Sequence, residues 1–142
     1  MPSPQHLHFT ATVNAPREKV FAFFADHEKF VTLFGAKCRR SRDGEGEVNG
    51  LGSVRTAGSG FMAFDETIVR FDKPSRIDYQ ITRGSPLKNH KGEIRFSEIG
   101  PMTQVDYQIQ FEGKFPFIAW LVARMLRKAW AAQAGKVLAD IS

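Results

Sequence analysis

Between His90 and Phe111 two neighbouring stretches of this chain alternate polar and apolar residues, and that alternation limits what the chain can fold into more than any other feature. Ile94 and Phe96 share a face with His90, while Lys91, Glu93, Arg95 and Ser97 take the opposite one. The second stretch puts Val105, Tyr107, Ile109 and Phe111 on one side and Gln104, Asp106, Gln108 and Gln110 on the other. Successive strand side chains point to opposite faces, so both stretches read as half-buried antiparallel strands rather than helix. The exceptions on the oily side are His90 and Tyr107. Burying an imidazole and a phenol against hydrocarbon alone costs stability, whereas a sheet curved around a ligand cavity puts such groups to use.

The remaining chain supplies the other elements. Leu7, Phe9, Ala11 and Val13 alternate with His6, His8, Thr10 and Thr12, predicting a first strand. Asn14 as a cap, Pro16 in the first turn and Glu18 near the positive end of the dipole predict a helix, whose apolar stripe is Val20, Phe21, Phe23 and Phe24. A break at Asp26-His27 precedes a second short helix through Phe34, closed by Gly35. Turn residues then punctuate six extended runs between Ala36 and Phe111. A long helix follows from near Pro116 to about Asp140, with Ile118, Leu121, Val122, Met125, Ala129 and Ala132 read as its apolar face. A chain of 142 residues is one domain, 1–142, large enough to bury roughly 68–70% of its unfolded surface.

Composition narrows the function classes. Cys38 is the one cysteine, so no intramolecular disulfide forms, and its neighbours include no histidine base for thiol chemistry. The start MPSPQHLHF has neither the basic region nor the apolar run of a secretory signal, and no apolar stretch reaches the roughly 18 residues that span a bilayer. A cytoplasmic protein is expected. The net charge of +5 is spread over the chain apart from Arg39, Arg40 and Arg42, and Arg124, Arg127 and Lys128. Without zinc-finger, helix-turn-helix or aromatic RNA-binding signatures, no nucleic-acid partner is expected. His6 and His8 share a strand face without a third ligand type nearby, so no metal site is expected. Nucleotide fingerprints, phosphate loops and nucleophile elbows are absent from the sequence, and no cofactor is implied.

The element order, together with VNAPREKVFAFF (Val13 to Phe24), FDETIVRFDKPSRIDY (Phe64 to Tyr79), HKGEIRF (His90 to Phe96) and the terminal helix, resembles the START/Bet v 1-like (SRPBCC) superfamily. More narrowly it resembles the bacterial polyketide cyclase/dehydrase and lipid-transport group. The resemblance implies an α+β helix-grip fold: a curved seven-stranded antiparallel sheet wrapped around a long C-terminal helix, two short helices after strand 1, and a cavity for a hydrophobic small molecule. The motifs are those of a scaffold. They do not specify a reaction.

Within that frame Glu66 stands out, because it shares a strand face with Met62, Phe64 and Ile68. A two-residue hairpin loop at Ser59-Gly60 would set Arg55 diagonal to Glu66, in direct or water-mediated contact. Such a pair either fixes strand register or orients a ligand. Arg83 ends the Ile77, Tyr79, Ile81 face and either reaches an acidic ligand group or snorkels to water. The candidate ligand-binding residues are therefore Arg55, Met62, Phe64, Glu66, His90, Ile94, Phe96 and Tyr107, with His90, Glu66 and Arg55 as candidates for catalysis. The Gly58-Ser59-Gly60 turn and the Gly84 to Lys88 loop are expected to flank the entrance.

The leading expectation is binding or carriage of a lipid, polyketide or isoprenoid-like molecule, by a monomer or homodimer. A rival is a cyclase or dehydratase in which His90 takes a carbon-bound proton and Arg55 stabilises the enolate. A third reading makes the C-terminal helix, with Trp120, Trp130 and its basic residues, a surface that meets a partner or a membrane.

Overall fold

The computed structural model describes residues 4–34, 38–58 and 63–141. The chain runs β1 (Gln5–Val13), α1 (Arg17–Ala25), α2 (His27–Phe30), a 3-10 turn (Val31–Phe34), β2 (Cys38–Arg42), β3 (Val54–Ala57), β4 (Phe64–Asp72), β5 (Arg76–Gly84), β6 (Leu87–Ile99), β7 (Met102–Gly113) and α3 (Ile118–Ala139). Seven strands make one antiparallel sheet in the order β1-β7-β6-β5-β4-β3-β2. The two alternating runs are β6 and β7, paired so that Ile94 lies opposite Tyr107 and Phe96 opposite Val105. Their oily sides thus share one face, the concave one. This is a helix-grip fold, and only β1 precedes the helices.

Three helices cover that face. Phe21 of α1 packs edge-on against Phe71 and Phe96, with ring centroids 5.1 and 5.3 Å apart. Phe30 of α2 lies over Tyr79 and Tyr107 at 5.9 and 5.5 Å. α3 packs over β1, β7 and the 3-10 turn, where Trp130 stacks on Phe9 at 4.6 Å. The terminal helix therefore covers only part of the sheet, and α1 and α2 take the rest.

Two local expectations are corrected. Pro16, not Asn14, occupies the N-cap of α1, with its carbonyl accepting from Lys19 and Val20 N–H. The extended backbone before Pro16 and its fixed φ start the helix without a side-chain cap. On α3 the inward side chains are Ala119, Val122, Ala123, Leu126, Trp130, Ala134 and Leu138, whereas Leu121, Met125 and Ala132 face solvent. The helix is apolar around much of its circumference, and the small alanines decide the contact because they let the helix approach most closely.

Candidate functional site

The pairing registers align one row of inward positions across five strands. Arg55 on β3 lies opposite Glu66 on β4, and Glu66 opposite Ile81 on β5. The Ile81 N–H donates to Nδ1 of His90 on β6 at 3.1 Å, and the His90 ring stacks on Phe111 of β7 at 6.5 Å. Arg55 is thus directly across from Glu66, not diagonal to it. Ala57 pairs with Phe64, so the register is shifted by two residues from the one a turn at Ser59-Gly60 implied. Adjacent strands lie about 4.8 Å apart, so Glu66 and His90, two strands away, are on the order of 10 Å from each other at the backbone.

The Arg55 side chain is only 2% exposed. Its Nη2 donates to the Ala25 carbonyl at 2.7 Å and to the Asn49 carbonyl at 3.2 Å, and its Nε donates to Ser53 Oγ at 3.0 Å. Ala25 is the last residue of α1, where unsatisfied carbonyls and the negative end of the dipole favour a cation. Arg55 therefore pins α1 and the 49–53 loop to β3. Burial lowers its pKa to about 10, with Glu66 pulling it back up, so it stays charged.

Glu66 is the other half of this arrangement. Among the described residues no hydrogen bond or ion pair ends on its carboxylate, and Arg55 acts on it through charge. Burial raises its pKa to about 7, and the Arg55 charge lowers it by a smaller amount. Such a carboxyl is half-protonated near neutrality and accepts or gives a proton at little cost. The same burial, with Glu66 nearby, pushes the Cys38 thiol up to about 11 and keeps it a neutral thiol.

Beneath Phe30 the hydroxyls of Tyr79 and Tyr107 touch each other. Burial first, and the neighbouring Glu66 among other causes, raises both phenols well above their ordinary value, so they remain neutral. Tyr79 reaches across its neighbouring strand because position 92 is glycine: a Cβ there would overlap the Tyr79 ring. Sequence reasoning placed Tyr79 on an inward face but did not promote it. The signal was there, since a glycine inside a strand marks a close approach.

His90 sits at a bulge in β6 between Lys88 and Lys91, where Asn89 takes φ 52°. Its Nδ1 accepts the Ile81 N–H, which leaves the ring proton on Nε2, and burial lowers its pKa to about 4. At neutral pH the ring is therefore a neutral donor through Nε2. That geometry makes it a poor proton acceptor, contrary to the role first expected.

The remaining predicted residues divide. Phe64 opens β4 half-buried. Ile94 is fully buried opposite Tyr107, and Phe96 is core under α1, between Phe21 and Phe24. Met62 and the Ser59-Gly60 turn lie outside the described residues. Gly84, the last residue of β5, takes φ 77° against Ala63, where a Cβ would overlap the Ala63 carbonyl, and of the predicted Gly84 to Lys88 loop only Ser85 and Pro86 lie between the strands. Arg83 faces outward and pairs with Asp65 at 2.7 Å, because a bulge at Thr82 turns it off the Ile81 face. His6 and His8 also face out, bonded to Gln108 at 2.9 Å and Asp106 at 3.0 Å. A separate surface groove of about 630 Å³, lined in part by Phe23, Lys29, Val137 and Ile141, lies apart from the polar row.

Comparison with known proteins follows the same lines. Residues 4–141 match the family described as polyketide cyclase / dehydrase and lipid transport. Among solved structures, the Zhui aromatase/cyclase from a Streptomyces species superposes with TM-score 0.74 at 19% identity, covering 98% of this chain and 94% of that one. Norcoclaurine synthase from Thalictrum flavum, in complex with dopamine and hydroxybenzaldehyde, gives 0.66 at 12% identity over 96% and 85%. A solution structure from Thermobifida fusca gives 0.69 at 17% identity over 95% and 91%. At these identities the likeness is one of fold. No curated protein matches the chain by sequence.

Proposed function

The chain belongs to the polyketide cyclase / dehydrase and lipid transport family, and from that membership and the buried polar row we propose that it binds a hydrophobic small molecule between the sheet and its covering helices. The observation that carries this reading is the placement of Glu66, His90 and the Tyr79–Tyr107 pair on a concave face otherwise made of Leu, Ile, Val and Phe. A packed core has little use for a carboxyl that accepts no hydrogen bond from the described residues, whereas a bound molecule with a hydroxyl or carbonyl supplies a partner. The His90 Nε2–H is a donor for such a group. Arg55 acts at one remove, holding the wall of the site and biasing Glu66 by its charge. In this reading the ligand enters beside the β5–β6 turn at Ser85-Pro86, next to which Gly84 lies against Ala63.

Native mass spectrometry of protein purified from its own source tests this, because a co-purified molecule appears as added mass that is lost on denaturation. A ligand that instead stays bound when Glu66→Gln and Tyr107→Phe are combined would overturn the site assignment.

The pKa of Glu66 favours a second reading, an acid–base enzyme on a β-keto substrate. The Glu66 carboxylate would take a proton from carbon between two carbonyls while His90 Nε2–H donates to the enolate oxygen. The enolate carbon would then attack a second carbonyl of the same chain, and Glu66 would return the proton to the new alkoxide. Turnover of a β-keto or polyphenolic substrate that disappears in Glu66→Gln, with binding retained, separates the enzyme from the carrier.

A further inference from the structure

We propose that the segment from Lys114 to Lys128 docks the protein on the surface of an anionic phospholipid bilayer. The inference goes beyond the ligand reading and does not require it. Its first support is the distribution of charge. Between Gly113 and Ala139 there are five basic residues, Lys114, Arg124, Arg127, Lys128 and Lys136, and no acidic one. The other fifteen lysines and arginines of the chain are matched by its fifteen acidic residues, and four of the five unmatched cations, Lys114, Arg124, Arg127 and Lys128, lie in the docking segment.

The second support is what lies among those charges. Phe115, Phe117, Trp120, Leu121 and Met125 are all exposed, Phe117 by 82% and Met125 by 60%. Leu121, Met125 and Lys128 follow one another at helical spacing along the solvent side of α3, and the Arg124 guanidinium sits 5.7 Å over the Trp120 ring. Phe117 holds φ 65° at the N-cap, a conformation unusual for a bulky residue, and that turn carries its ring outward rather than into the core. Large apolar side chains clustered on a surface mark a contact. Aromatic residues flanked by lysine and arginine suit the boundary between headgroups and acyl chains, where rings insert and cations meet lipid phosphates.

Charge also argues against the other occupants. A second copy meeting this face would bring like charges together, and a nucleic acid would leave Leu121 and Met125 uncovered. No described helix is long and apolar enough to cross a membrane, so the contact is with the surface. The segment also adjoins the expected entrance, since the Lys114 N–H donates to the Pro86 carbonyl of the β5–β6 turn at 2.8 Å.

Vesicle flotation tests the proposal, with full-length protein and two double variants at exposed positions, Phe117→Ser with Trp120→Ser and Arg124→Gln with Lys128→Gln. Wild type is expected to float with mixed phosphatidylcholine–phosphatidylglycerol vesicles, to stay behind with phosphatidylcholine alone, and to be released by salt. Losing two cations should weaken binding roughly thirtyfold, from about 1 kcal/mol per basic side chain at an anionic surface. The aromatic variant should lose most binding while its thermal melt stays unchanged. Failure to float with anionic vesicles at low salt would overturn the proposal. So would an aromatic variant that floats as well as wild type, or a wild-type dimer in sedimentation that this variant dissolves, which would give the face to a second copy.

Discussion

The Glu66 carboxyl, raised to about 7 in the fold from 4.5, keeps its proton over a range in which the unfolded chain has already lost it. The folded state then binds more protons, so this residue makes stability fall as pH rises from about 4.5 to 7. His90 works in the opposite direction. Its pKa falls from 6.5 to about 4, the unfolded chain binds the extra proton, and stability rises with pH across that window. In wild type the two slopes oppose each other between roughly pH 4.5 and 6.5. Glu66→Gln should therefore gain stability as pH rises toward 6.5, and His90→Gln should lose it toward pH 7, each by a few kcal/mol overall. Urea unfolding at stepped pH reads both, and parallel curves for the three proteins would contradict the assignment. At Gly92, alanine should cost about 1–3 kcal/mol by displacing the Tyr79 ring, and much less where Tyr79 is already alanine. Unfolding midpoints of the two singles and the double decide it. The inward placement of Glu66, His90 and Tyr107 was legible because alternation assigns faces. The partners of Arg55 were not, since the Ala25 and Asn49 carbonyls belong to distant segments and carry no side-chain signature.

Among the elements, α3 is the one whose period misled. Its sequence is apolar on overlapping faces, and the stripe of Leu121, Met125 and Ala132 is as regular as the one the protein buries. What settles the rotation is close packing at Ala119 and Ala123. Ala123→Leu, at a position with 0% exposure, should destabilise by about 1–3 kcal/mol through overpacking. Leu121→Ala, at 46% exposure, should change stability by less than about 0.5 kcal/mol. Chemical denaturation of both variants checks the orientation, and a reversed order of effects would mean the helix presents the other face. Strand bulges were equally hidden. The extra residue at Thr82 turns Arg83 outward, and strict alternation cannot reveal where a strand departs from it.

At the scale of the whole molecule, the architecture was readable because several one-sided strands and one long helix admit few arrangements, and the family motifs select among them. How the covering is shared was not readable. The aromatic rings of α1 and α2 have no period that says which strands they meet, yet Phe21 and Phe30 close the face that α3 leaves open. In the proposed function that closure puts the ligand inside, against the polar row, and not outside in the groove beside Val137 and Ile141. Methyl-resolved NMR during titration with 2-naphthol, a neutral aromatic with one hydroxyl, tests this most directly. Binding at the proposed site shifts Ile68, Ile81, Ile94 and Ile109, which surround the polar groups on the concave face, and leaves Val137 and Ile141 unmoved. Shifts confined to Val137 and Ile141, with the inner isoleucines unchanged, would contradict it.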